Sequence, residues 1–334
     1  MPSTPLIAPV EPDRRYGRPP MLHVRPPADP EQWVRSHRDP LLAAVAAHGS
    51  VLVRGLRLRT PEHVALVLEQ LEVPPVTEQE SFAPRQPYAE GVYPATKWPQ
   101  NEPMCMHHEL SYNLDFPGLL LFACLTAPTD GGATAVADAS AVVDALPHGL
   151  VERFERQGWI LTRSYNGEIG ASVAEAFGTD DHDAVDSHCR AAGIDVSWQH
   201  DGTLRTRQRR SAVLRHPVDG RRCWFNQIAF LNEWTINPDI REYLIGEYGA
   251  DGLPFNTFWG DGEPLTQDAV QQINRVYEAH TSRTPWLAGD LLLVDNIRTA
   301  HSREPFTGPR EVAVAMAAPR RVADCSPTIE VNPS

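Results

Sequence analysis

Two potential metal ligands stand two residues apart in Met106-His107-His108-Glu109-Leu110-Ser111-Tyr112, and this spacing restricts the fold more than any other feature of the chain. Side chains at i and i+2 of an extended segment share a face, so His107 and Glu109 can converge on one point from a strand while His108 turns away. A helix would separate them. A third ligand of the same kind stands far along the chain at His301, after the apolar, strand-like run Leu291-Leu292-Leu293-Val294. Two histidines and one carboxylate, with positions left open, form the facial arrangement that holds non-haem Fe(II). Chance is the alternative at this point, because a chain with 13 histidines produces His-x-Glu neighbours without purpose.

The rest of the sequence is compatible with a strand-rich fold. The 31 prolines and 22 glycines interrupt it often, proline at roughly twice its usual share of about 5%. Residues 1 to 30 are proline-rich and polar and read as an extended arm. A helix is expected from about Asp39 to His48, stopped by Gly49, then a strand at Val51–Val53. A second helix is expected over Pro61–Leu71, with proline in its first turn. Glu78 to Asn101 is polar and aromatic without a sustained period. Leu119–Cys124 is continuously apolar, as a strand buried on both faces would be. Gly131-Gly132 turns the chain into a strand over Ala133–Asp138, and Ala139–Ala145 begins a helix that closes at Pro147-His148-Gly149. The middle of the chain offers a strand at Trp159–Thr162 and helices at Ala171–Phe177 and Asp183–Ala192. An aromatic strand follows at Trp224–Ile228, then helices at Pro238–Tyr248 and Thr266–Ser282. Strands at Asp290–Val294 and Glu311–Met316 flank His301. Short strands, many turns and marginal helices indicate a mainly β jelly roll or barrel with flanking helices, in one domain over residues 31–334.

Composition narrows the partners. A formal net charge of −13 argues against general affinity for nucleic acid or an anionic membrane, both of which select basic surfaces. A small-molecule substrate is expected, and the sequence is silent on oligomeric state. Five scattered cysteines without a CxxC pair fit reduced thiols and a cytoplasmic location. No apolar run approaches the roughly 18 residues of a membrane span, so a soluble protein is expected.

Context raises the ligand pair above chance. Arg310 follows His301, and Thr134 follows the paired glycines, so a guanidinium and a hydroxyl are available to hold a carboxylate. Together with Gly91-Val92-Tyr93, Trp224-Phe225-Asn226-Gln227 and Trp286-Leu287-Ala288-Gly289-Asp290, these residues resemble the taurine-dioxygenase and clavaminate-synthase-like family of Fe(II)- and 2-oxoglutarate-dependent oxygenases. The resemblance runs from about Val51 to Ala317, and is strongest to the His-x-Glu branch that modifies amino acids in natural-product pathways. It implies a double-stranded β-helix, iron held by His107, Glu109 and His301, and 2-oxoglutarate held by Thr134 and Arg310. It also implies O2 as co-substrate, with succinate and carbon dioxide as co-products. Halogenases of the superfamily have a small residue in place of the acidic ligand, so Glu109 points to hydroxylation over chlorination.

The implied substrate is amino-acid-like, free or tethered to a carrier protein. Ser111, Tyr112, Asn226 and Gln227 are candidate substrate contacts. Asn296 is expected to brace a turn, His216 to be structural, His108 to bond behind the site, and Arg298 and Arg303 to face solvent. Three other readings stay open: a sulfonate or phosphonate substrate recruited by the arginines between Arg205 and Arg222, a desaturation or cyclisation outcome, and a metal-free β-barrel binding module.

Overall fold

The computed structural model describes residues 11–76, 86–96 and 98–330. Its architecture is mixed, with several mostly antiparallel sheets and helices packed outside them. The largest sheet orders its strands Met21–His23, Ser50–Arg54, Leu291–Asp295, Asp115–Thr126, Glu311–Arg321 and Val92–Pro94. The first pair is parallel and the others are antiparallel.

Alternation along these strands sorts the apolar residues to two sides. Leu119, Leu121, Ala123, Leu291, Leu293, Ala313 and Ala315 face one core, which the two N-terminal helices close with Val34, Leu41, Val45, Val64 and Val67. Leu120, Phe122, Leu292, Val294, Val312, Val314 and Met316 face the other core. The central strands are therefore buried on both faces, which is why they read as unbroken apolar runs.

The helices begin where capping chemistry allows. The Asp29 side chain accepts the Gln32 N–H at 2.9 Å ahead of helix Pro30–His48, and Thr60 caps helix Pro61–Gln70. The expected start at Asp39 was thus too late. Pro40 lies inside the helix, removing one backbone bond, while Val34, Leu41 and Val45 keep one buried stripe through it. Gly49 ends the helix at φ 80° as expected.

A second, smaller sheet places Met104–His107, Thr299–Arg303, Thr134–Asp138 and Thr281–Ser282 side by side. Its Met106, Ala135, Ala137 and Ala300 pack into the same core as Phe122 and Val314, so the two sheets enclose one interior. A third sheet, Phe255–Trp259, Trp159–Tyr165, Leu204–Arg210 and Ile194–Trp198, packs with helix His182–Ala191 around Tyr165, Val185, Cys189 and Leu204.

Several sequence expectations need correction. Met21–His23 is an edge strand within the expected arm, and residues 1–10 of that arm lie outside the described residues. A helix at His148–Gln157 occupies the place where a helix end was expected. The aromatic strand stops at Trp224, because the Asn226 side chain takes the Ile228 N–H and donates to the Ala212 carbonyl, which turns the chain. Of the segment from Glu78 to Asn101, residues 77–85 and 97 lie outside the described residues. Among the described residues no helix is long and apolar enough to cross a membrane.

Candidate active site

Antiparallel pairing brings the distant histidines together: His301 is the register partner of His107. The strand bearing His107 ends there, and Glu109 lies in the following turn, where Leu110 adopts φ 53°. Glu109 therefore reaches the histidines by a turn, and the expected common strand face is corrected on this point. Its Oε2 is 3.5 Å from His301 Nε2 and 3.9 Å from His107 Nε2. One donor atom from each of the three residues lies within 4.8 Å of the others.

The donor chemistry suits a metal ion. His107 Nδ1 lies 2.8 Å from the Cys105 carbonyl, and donation there leaves Nε2 with its lone pair toward the carboxylate. Burial, reinforced by the neighbouring His301, pushes the His107 pKa down to about 3, so the ring is in the neutral form that binds metals. His108 turns away, and its Nδ1 lies 2.5 Å from the Asn296 carbonyl.

Asn296 does more than brace its own turn. Its Oδ1 accepts the Glu109 N–H at 2.9 Å, and its Nδ2 donates to the carbonyls of Glu109 at 2.9 Å and Pro117 at 2.8 Å. This fully buried amide clamps the peptide of the carboxylate donor from both sides. Asp295 in turn accepts the N–H groups of Ile297 and Arg298, and its other oxygen lies 2.9 Å from His216 Nε2. His216 is structural, as its sequence position suggested. Asn296→Ala should cost about 2–4 kcal/mol of stability, since it leaves buried backbone groups unpaired. It should also weaken iron binding by roughly 10–100-fold. Thermal melts and an anaerobic iron titration measure the two effects separately.

Two cavities meet at this constellation. The larger, about 250 Å³ in volume, is walled by Trp98, Tyr112, Arg163, Gln227, Phe230 and Phe255, and reaches His107 and Glu109. The smaller, about 50 Å³, is lined by Thr134, Arg303 and Arg310, and reaches all three donors. The His107 ring stacks on Phe230 at 4.5 Å between centroids, and Phe230 meets Trp98 at 5.7 Å. These rings form one wall of the larger cavity.

In the smaller cavity Arg310 donates from Nε to the Gly132 carbonyl at 2.9 Å, and its terminal nitrogen lies 3.5 Å from Thr134 Oγ1. Burial and the charge of Arg303 lower the Arg310 pKa to about 10, which leaves it protonated at neutral pH. The glycine pair makes this approach possible. Gly132 has φ 68°, and a Cβ there would stand 2.9 Å from Phe306 Cβ and 3.1 Å from Arg310 Cδ. Gly132→Ala should therefore destabilise the fold by about 1–3 kcal/mol and raise the KM for an acid bound at Arg310. Steady-state kinetics on the folded fraction checks it.

Other expected residues divide. Tyr112 and Gln227 line the larger cavity, and Gln227 also donates to the His108 carbonyl at 2.8 Å. Ser111 and Asn226 are buried and line neither cavity. Arg298 and Arg303, expected to face solvent, are both buried. Arg298 ties the His301 strand to Asp138 and to the carbonyls of Ala46 and Ala47. Arg303 donates to the carbonyls of Trp98, Pro99 and Glu102. Nor do the arginines from 205 to 222 line the larger cavity. Arg221 pairs with Asp219 and Arg222 with Glu155, while Arg210 is buried and, with Gln208, donates to the Tyr112 carbonyl. Arg163 went unread, although a cation amid the apolar alternation Trp159, Leu161, Arg163, Tyr165 was a visible signal.

A buried His-Glu-His site between a pocket lined by two arginines and a larger, aromatic-walled cavity defines the class of non-haem metal oxygenases. The chain belongs to the taurine catabolism dioxygenase TauD, TfdA family, whose profile matches residues 16–316. It is accordingly an Fe(II)- and 2-oxoglutarate-dependent dioxygenase. It is 32% identical over 294 residues to the dapdiamide synthesis protein DdaC of Enterobacter agglomerans, covering 88% of each chain. It is also 27% identical to a clavaminate synthase-like protein of Arabidopsis thaliana, covering 85% of this chain and 86% of the other. Among solved structures, the PvcB protein from Pseudomonas aeruginosa aligns with a TM-score of 0.52 at 16% identity, over 95% of this chain and 94% of that one.

Proposed function

We propose that the protein hydroxylates an unactivated carbon of an amino-acid-like substrate in natural-product biosynthesis, in the cytoplasm. The observation that carries this reading is the placement of His107, Glu109 and His301 between two cavities of different chemistry. The similarity to a dapdiamide synthesis protein supports the biosynthetic setting. Five free cysteines support the reducing compartment. In this reading the two packed sheets are a double-stranded β-helix, and residues 31–334 act as one catalytic domain.

Bound iron with 2-oxoglutarate and O2 supplies the oxidising chemistry that removes a hydrogen atom from the substrate. The chain supplies placement. His107, Glu109 and His301 would hold the metal, while Arg310 and Thr134 would hold the distal carboxylate of 2-oxoglutarate from the smaller cavity. The substrate lies in the larger cavity against Phe230, Tyr112 and Gln227, with its reacting carbon toward His107 and Glu109. The aromatic wall of Trp98 and Phe230 excludes water from that side. The cavity volume of about 250 Å³ is close to the lower end of the range for small-molecule sites.

Anaerobic addition of Fe(II) and 2-oxoglutarate should produce a weak visible charge-transfer band. Failure to see it at saturating reagents rejects the reading. Mass spectrometry of a candidate substrate pool then looks for a gain of one oxygen coupled to succinate.

A further inference from the structure

Gln227 stands in the turn that follows strand Arg222–Trp224, and the chain there is held from several sides. The Asn226 side chain donates to the Ala212 carbonyl and accepts the Ile228 N–H, while the Gln227 carbonyl accepts the Leu231 N–H at 3.0 Å. This one turn gives Gln227, Phe230 and Leu231 to the wall of the larger cavity.

The two ends of the Gln227 amide have different surroundings. Its Nε2 donates to the His108 carbonyl at 2.8 Å, and His108 stands between His107 and Glu109 in the chain. Turning the amide over would set two oxygens face to face, so the nitrogen is fixed on the His108 side. Gln227 is 5% exposed, and among the described residues no donor reaches its Oε1. That oxygen is not sealed from solvent, and the space it borders is the cavity. It is a preoriented acceptor at a set place relative to two of the metal-binding residues.

The neighbouring polar groups do not make the same demand. The hydroxyls of Thr96 and Ser164, also on this wall, rotate and can donate or accept. Arg163 lies over the Tyr165 ring and has a further interaction within the protein. An amide oxygen accepts and cannot donate. A ligand that displaces water from the cavity leaves this acceptor unpaired unless the ligand brings a donor, and an unpaired buried acceptor disfavours the complex.

We infer that Gln227 is a specificity-determining residue that accepts a hydrogen bond from an amino or amide nitrogen of the substrate. This rests on the proposed function and sharpens it. Because the same amide is tied to the peptide between two metal donors, it sets where that nitrogen lies relative to the metal site.

The test takes the common L-amino acids in three forms: the parent, its N-acetyl derivative and its deamino counterpart, which lacks the nitrogen. Binding to anaerobic protein loaded with Fe(II) and 2-oxoglutarate is measured by calorimetry, and the charge-transfer band is recorded alongside. At least one amino acid should bind as the parent or the N-acetyl form. Its deamino counterpart should bind more weakly, by roughly 2–10-fold where a neutral N–H is lost and about 10–100-fold where an ammonium is lost. Gln227→Met removes the acceptor and should bring the forms to within about twofold of one another. Gln227→Glu keeps an acceptor oxygen and should retain the preference. A merely structural role, acting through the His108 carbonyl, would weaken all three forms alike. Equal binding of the nitrogen-bearing and deamino forms to the wild-type protein overturns the inference, as does an undiminished preference in Gln227→Met, or no binding by any form. The wild-type comparison decides the matter even if the variants do not fold. Absence of the band rejects the oxygenase reading instead, while the calorimetric preference still reports on Gln227.

Discussion

Alanine at His301 should abolish iron-dependent succinate formation while the protein stays folded. The backbone of His301 is held by strands on both sides, paired to Val136 and to His107, so removing the ring leaves the ladder intact. What is lost is a donor nitrogen 3.5 Å from Glu109 Oε2 and ring packing against Phe122 at 4.9 Å. The packing loss amounts to about 1–3 kcal/mol, which shifts melting by a few degrees. The ligand loss is far larger: residues that merely support ligands cost about 10–100-fold in affinity, so a missing ligand should exceed a hundredfold. An iron titration and a succinate assay measure it, and wild-type turnover by His301→Ala would exclude this triad. His108→Ala is the matched control. Its ring bonds to the Asn296 carbonyl behind the site, so that variant should lose stability and keep the three donors.

The triad was legible in the sequence because its constraint is local at one end and chemical at the other. Period-two spacing separated His107 from His108, and a histidine following an apolar strand supplied the third donor. The means of convergence was not legible. Glu109 sits in a turn whose shape depends on Leu110 at positive φ and on Asn296, and Asn296 is far away in sequence. The sheet strands were readable for a related reason: Leu119–Cys124 and Leu291–Val294 are buried on both faces and have no polar period to confuse them. Helix Pro30–His48 starts well before Asp39 because the packing of Val34, Leu41 and Val45 carries it through Pro40, and the apolar pattern from Leu41 to Ala46 shows only its later turns. Arginines were the hardest to place. Arg163, Arg210, Arg298 and Arg303 are all buried, and the carbonyls that receive Arg210, Arg298 and Arg303 come from segments that adjoin them only in the fold.

Replacing Arg310 by methionine should raise the KM for 2-oxoglutarate by roughly 30–1000-fold, the range for truncating one partner of a buried charged pair. Its Nε bond to the Gly132 carbonyl fixes the plane of the guanidinium, and Thr134 stands beside one terminal nitrogen. Two cations, Arg303 and Arg310, line this small cavity. Their mutual repulsion contributes to the lowered Arg310 pKa, and a dianion bound between them relieves it. Arg310→Lys should recover only part of the affinity, because an ammonium cannot reproduce the planar fork. Thr134→Val removes one neutral hydrogen bond, worth about 0.5–1.5 kcal/mol, and should raise the KM by roughly 2–10-fold. Because the two side chains meet, their effects should not add in the double variant. Arg163→Met lies in the other cavity and should leave the KM for 2-oxoglutarate near wild type. An unchanged KM in Arg310→Met, measured by succinate formation across a 2-oxoglutarate titration, would remove Arg310 from the co-substrate site and with it the assignment of the two cavities.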